Sequence, residues 1–376
     1  MLFTNALVFL ADRGFVSGAF RVENGVFTEI LPSDTREPGA ADLGGAKVIP
    51  GLVDIHTHGN SGADFSDADA EGLRRMAAYL AAHGVTSFCP TSMTLPYETL
   101  SAAFATAVTV SEDRPRGAAR VVGIHMEGPF FSEKKKGAQN AAYLRLPDVD
   151  AFRALYDGCG GLLRIVDVAP ELAGAVDFTE KASALCTVSV AHTDADYEQT
   201  RAVYEAGARH LTHLYNAMPS IHHRNPGVIG AASENEAVCA ELICDGLHVH
   251  PSAVRMAFRL FPGRICLISD ALRCCGMPDG EYELGGQQVF LQGGVARLAD
   301  GTIAGAASNL FQDLQNAVSF GIPEEEAILA ATLRPARQIG RDSEIGAIAP
   351  GHLADFVVCD AALGLREVWL GGEKVV

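Results

Sequence analysis

Lys47-Val48-Ile49-Pro50-Gly51-Leu52-Val53-Asp54-Ile55-His56-Thr57-His58-Gly59 is where the chain changes rhythm. Upstream, short apolar runs at 6–10 and 15–22 are divided by turn residues such as Glu23-Asn24-Gly25, a β pattern. Downstream, β-branched runs alternate with helical stretches. Strand windows fall at 52–56, 86–89, 121–126, 163–168, 187–191, 210–214, 239–244 and 264–269. Helical windows fall between them at 70–83, 97–110, 149–156, 180–185, 195–206 and 251–261. Eight such strands predict an α/β fold, a (β/α)8 TIM-type barrel with its active site at the strands' carboxyl ends. A doubly wound sheet would give the same rhythm, so the position of the chemistry has to decide.

Strand side chains alternate, so His56 and His58 leave the same face at the end of the first strand. Alone, that pair reads equally well as two packed histidines. Other strand ends repeat the theme: Glu127 after the third, His192 after the fifth, His213 after the sixth and Asp270 after the eighth. Buried histidines and carboxylates are costly unless paired or bound to metal. Five strand ends converging on one mouth therefore point to a metal centre in a barrel. His56, His58 and Asp270 would hold one divalent ion and His192 and His213 a second, with Glu127 reaching both.

Residues 281–304 break the alternation and read as two inserted hairpins, after which helices resume at 309–320 and 324–332. The tail from 346 to 376 is β-like again, with strands at 355–359 and 367–370 and the single tryptophan, Trp369, in its core. Both β-rich ends are expected to form one small β-sandwich-like domain, 1–50 plus 345–376, beside a barrel of 51–344.

Of 376 residues, 48% are hydrophobic and 20% charged, enough for a large core and too apolar for disorder. A formal net charge of −17 leaves no global basic surface for nucleic acid or anionic lipid. Nine cysteines, with no CxxC pair, argue against a disulfide framework and a cysteine zinc site. The amino terminus lacks a basic n-region, and no apolar run is long enough to span a bilayer, so a cytoplasmic protein is expected.

The set HxH, Glu, His, His and Asp on successive strands resembles the amidohydrolase superfamily of metal-dependent hydrolases. Longer segments resemble the N-acetylglucosamine-6-phosphate deacetylases within it: HMEGPF (125–130), KKGAQN (135–140), HLYNAMPSIHHRNPGVIGAA (213–232), DGLHVHP (245–251), SDA (269–271), GMPDGEYELGG (276–286) and ATLRPARQIG (331–340). The resemblance implies a phosphorylated amino sugar as substrate, contacted by Asn216, Ala217, Arg224 and His248, with Arg224 reaching a neighbouring subunit of a homodimer. It implies hydrolysis of an N-acetyl group by a metal-activated water, with Asp270 as general base and then acid. Zinc is the first expectation, with Fe, Mn or Co as alternatives, one or two ions per subunit.

The chain departs from that family in places. Relatives often replace the HxH pair, which is complete here, and Glu127 stands where many related barrels use a carboxylated lysine. Gln139 stands where some relatives carry a histidine that polarises the acetyl carbonyl, and it is expected to bind substrate there as an uncharged hydrogen-bond donor. Cys274-Cys275 follow Asp270 where small residues are usual, and Ala306 and Asn309 replace the usual Ser and Thr. Lys134-Lys135-Lys136 reads as a solvated loop, and His125, His210, His222, His223 and His250 as hydrogen-bonded structural residues. A galactosamine-6-phosphate deacetylase, a cyclic amidase, an acyl-amino-acid deacylase and a barrel serving only as a binding module are the competing readings.

Overall fold

Leu52–Thr57 is buried at every position, as a parallel strand covered on both faces must be. In the computed structural model, which describes residues 1–113 and 116–376, it is barrel strand β1. The others are β2 (Val85–Pro90), β3 (Arg120–Val121 and Ile124–Met126), β4 (Leu163–Val168), β5 (Thr187–Val190), β6 (His210–Leu211), β7 (Cys239–Ile243) and β8 (Ile265–Ile268). Each pairs in parallel with the next in chain order. The two halves of β3 divide this work, the first pairing with β2 and the second with β4.

The ring closes where β8 meets β1. Asp270 N–H donates to the His56 carbonyl at 2.9 Å, and Ser269 Oγ to Asp54 Oδ2 at 2.6 Å. Sequential order with closure excludes the doubly wound alternative, in which strand order reverses midway.

Most expected helices appear near their windows, with three departures, one of them the short unannounced helix Leu333–Gln338. The fourth helix is Ala175–Ala182 rather than 180–185; Ala175, Phe178, Thr179 and Ala182 form its buried face, and Gly174 at φ 88° starts it. Gly227–Glu234 is a helix that the sequence did not announce. Its sequence, GVIGAASE, is buried over six successive residues and so carries no amphipathic period.

The insert after β8 is one three-stranded antiparallel sheet, Gly280–Leu284, Gln287–Gln292 and Val295–Leu298, whose two hairpins share the middle strand. Its turns, Gly285-Gly286 and Gly293-Gly294, have positive φ at both residues, which two-residue hairpin loops of this hand require.

The chain ends share an eight-stranded sheet in which Lys47–Pro50 lies between Leu2–Leu10 and Phe356–Cys359. Ile49 faces Val357 in antiparallel register, while Leu7 faces Lys47 in parallel. Phe3, Phe20, Phe27 and Phe356 are buried on its inner side. The half-buried Trp369 stacks on Phe356 with centroids 5.5 Å apart.

Candidate metal-dependent active site

The strand ends deliver their side chains into one cluster at the barrel mouth. Glu127 Oε1 lies 3.1 Å from Nε2 of both His192 and His213, and those two nitrogens are 3.1 Å apart. On the other side, His56 Nε2 and His58 Nε2 are 3.4 Å apart. Asp270 Oδ1 sits 3.5 and 3.3 Å from them, and Glu127 Oε2 is 3.4 Å from His58. The six residues thus form two groups around Glu127. Three of them turn the backbone left-handed, with φ of 42° at His192, 29° at His213 and 49° at Asp270. Such strain is retained where a site demands it.

The donor chemistry fits divalent cations. His58 Nδ1 faces the Thr91 carbonyl at 3.1 Å, and His192 Nδ1 the Lys135 carbonyl at 2.9 Å. His56 Nδ1 faces Glu241 Oε2 at 2.8 Å. When the imidazole is neutral, each acceptor favours the ring proton on Nδ1, which leaves the Nε2 lone pair facing inward. Two imidazole nitrogens about 3.3 Å apart is the spacing set by tetrahedral bonds of about 2.0–2.1 Å to one ion, close to the 3.4 Å observed.

The electrostatics agree. Burial opposes charge on His58 and His213, yet Asp270 and Glu127 lift each pKa to about 9. Burial also works against the charge on Glu127, but hydrogen bonds from His192 and His213 hold its pKa well below the usual carboxylate range. Anionic oxygens thus collect protons on imidazoles, and a dication would displace those protons.

The amidohydrolase family matches residues 47–374 of this chain. The chain belongs to that family. This amidohydrolase is 37% identical over 356 residues to the N-acetylglucosamine-6-phosphate deacetylase of Vibrio furnissii, covering 94% of this chain and 89% of that one. It is 35% identical to the N-acetylgalactosamine-6-phosphate deacetylase of Escherichia coli O157:H7, covering 97% and 96%. A solved mutant of the N-acetyl-D-glucosamine-6-phosphate deacetylase from Mycobacterium smegmatis, in complex with N-acetyl-D-glucosamine-6-phosphate, superposes with a TM-score of 0.94 at 33% identity, covering 100% and 99%.

Around the cluster, the amidohydrolase pocket is lined by Gln139, Asn216, Ala217 and His248, together with Leu284 from the inserted sheet and Gly305. Arg224 is not brought into it. That side chain is exposed and, among the described residues, hydrogen-bonds to its neighbour alone, Nη1 lying 2.8 Å from His223 Nε2. Gln139 donates to Glu127 Oε2 at 2.5 Å and accepts from Thr94 N–H at 2.7 Å, so both ends of its amide are engaged.

Asn309 lies outside the pocket as well. Its side chain caps helix Leu310–Ser319 in a reciprocal box with Gln312, and Ala306 bonds through its backbone to Asp270 and Leu272. Cys274 and Cys275 are buried, Cys275 Sγ donating to the Ser308 carbonyl at 3.3 Å. Lys134 pairs with Asp194 at 3.0 Å on the surface.

His125 and His210 are structural partners of buried carboxylates, Asp167 and Glu241, each at 3.0 Å. Sequence reasoning missed two acids. Asp245 holds His248 Nδ1 at 2.7 Å, a pairing that the D-G-x-H spacing could have suggested. Glu241, in the middle of β7, gave no such sign.

Proposed function

We propose that this amidohydrolase hydrolyses the N-acetyl group of N-acetylglucosamine-6-phosphate, giving acetate and glucosamine-6-phosphate. The observation that carries the reading is the two-sided His/carboxylate cluster opening directly onto a pocket lined by Asn216, Ala217 and His248. The likeness to deacetylases of phosphorylated amino sugars supplies the substrate class.

His56, His58, Glu127, His192, His213 and Asp270 would hold one or two divalent ions, zinc first, with Fe, Mn or Co suited to the same donors. Such an ion lowers the pKa of water and polarises the acetyl carbonyl. Asp270 is buried, which favours its neutral form, but His56 and His58 outweigh this and keep its pKa below the usual aspartate value. It is therefore ionised and able to take a proton from the attacking water. Returning that proton to the departing nitrogen lets the C–N bond break to a neutral amine, since an amide anion is a very poor leaving group. Gln139 orients the shared carboxylate Glu127. His248, held by Asp245, and the peptide at Asn216-Ala217 bind the sugar phosphate. Arg224, exposed and outside its own pocket, is assigned to the pocket of a second copy, which makes the working unit a homodimer.

Nine free cysteines accord with a reducing, cytoplasmic setting. Among the described residues no helix is long and apolar enough to cross a membrane.

N-Acetylgalactosamine-6-phosphate is the second substrate to weigh, because the relative named N-acetylgalactosamine-6-phosphate deacetylase aligns over 97% of this chain. Acetate release from both phosphorylated sugars and from unphosphorylated N-acetylglucosamine, before and after chelation, tests the reading. Chelator-sensitive turnover that requires the phosphate and favours the gluco sugar is expected. Indifference to the phosphate would move the assignment to a cyclic amidase or an acyl-amino-acid deacylase.

A further inference from the structure

Glu241 is wholly buried in the middle of β7, directly beneath the ligand cluster. Apolar side chains such as Val53, Ile55, Ile165, Ile243 and Ile268 fill the neighbouring barrel interior, where a carboxylate is costly unless it is fully paired. Its hydrogen-bond donors are His56 Nδ1 at 2.8 Å, His210 Nε2 at 3.0 Å and the main-chain N–H of His213 at 3.2 Å. None is a lysine or arginine. Two of the three belong to residues assigned to the metal centre.

A neutral imidazole carries one N–H, and an ionised carboxylate can only accept. Glu241 therefore keeps the His56 proton on Nδ1 and leaves Nε2 as a lone pair facing His58 Nε2 at 3.4 Å. Without that acceptor, His56 could place its proton on Nε2, toward Glu127 and Asp270 at 3.7 and 3.5 Å, and so block its own ligand atom. The other group has separate support: His192 is held by the Lys135 carbonyl, and Glu241 meets His213 only through its backbone.

We propose that Glu241 is the positioning residue of the His56–His58 metal position, selecting the His56 tautomer that can ligate and so deciding whether a second ion is bound. The proposal rests on the two-group metal centre described above. Removal of Glu241 should be felt at one position and not at the other, which a merely structural role would not produce.

The test is titration of chelator-stripped full-length protein with Zn2+ against a chromophoric competitor, with metal counted after desalting, for wild type, Glu241→Leu and Glu241→Gln. Wild type is expected to hold two ions. Glu241→Leu should keep one at wild-type affinity and bind the other about 10–100-fold more weakly, as loss of an outer partner typically does. Glu241→Gln, whose amide oxygen can still accept from Nδ1, should retain both.

Equal affinity at both positions in Glu241→Leu, or equal weakening of both, overturns the proposal. A single ion in wild type overturns the two-ion reading itself and the proposal with it. Should Glu241→Leu fail to fold, 15N NMR of histidine-labelled, metal-free wild type at alkaline pH decides. A proton on His56 Nδ1 supports the proposal, and one on Nε2 overturns it.

Discussion

Asp270 has to satisfy a backbone and a reaction at once. At φ 49° it occupies the left-handed region that Asn and Asp tolerate best. Asp270→Asn should therefore preserve the fold and remove only the proton-carrying oxygen. Its kcat is expected to fall about 10²–10⁴-fold, with circular dichroism unchanged; near-native turnover would end the assignment. Asp245→Ala frees the His248 ring from its 2.7 Å partner and should raise KM for the phosphorylated sugar far more than it lowers kcat. Steady-state kinetics separate the two. At this scale the strand-end residues were legible in the sequence, because period-two alternation and the position of barrel active sites bring them to one mouth. Glu241 was not legible, because a charged residue inside A-E-L-I reads as the solvent face of a half-exposed strand. In a closed barrel both faces are buried, and only the partner strands reveal that the inward face is polar here.

Elements were legible where they carried a period and obscure where burial erased it. All eight barrel strands were anticipated, although β6 shortens to His210–Leu211 because the left-handed turn at His213 ends the ladder early. Helix Gly227–Glu234 was missed because its own run of six buried apolar residues and glycines leaves no polar face to mark a period. Asn309 shows how an element can account for a residue that the family resemblance marked only as a departure. Its capping bonds predict that Asn309→Ala destabilises the protein by about 1 kcal/mol, seen as a lower thermal midpoint, while KM is unaltered. A changed KM with an unchanged midpoint would place Asn309 in sugar binding instead.

For the whole molecule, charge and protons set the conditions of work. The metal-free pKa of about 9 at His58 and His213 lies above the ordinary value of about 6.5. Protonation therefore stabilises the metal-free fold fully below about pH 6.5. That contribution is lost as pH rises through about 9. Ions must displace those protons, so apparent metal affinity should climb with pH and level off above about 9, as competition titrations from pH 6.5 upward will show. A net charge of −17 also repels an anionic substrate. Moderate added salt should accordingly raise kcat/KM for the phosphorylated sugar by screening that repulsion; a strong fall would mean that local positive groups dominate encounter. Lys47–Pro50 belongs to the terminal sheet and runs straight into β1.

That continuity bears on how the protein is made. A ribosome releases Leu2–Leu10 and Lys47–Pro50 long before Phe356–Cys359, the strand that pairs with Ile49. Until then an edge of backbone donors and the faces of Phe3 and Phe20 wait uncovered through the synthesis of the entire barrel. The nascent chain is thus most exposed to self-association in the interval between release of Lys47–Pro50 and of Phe356–Cys359, and the later strand acts as the clasp.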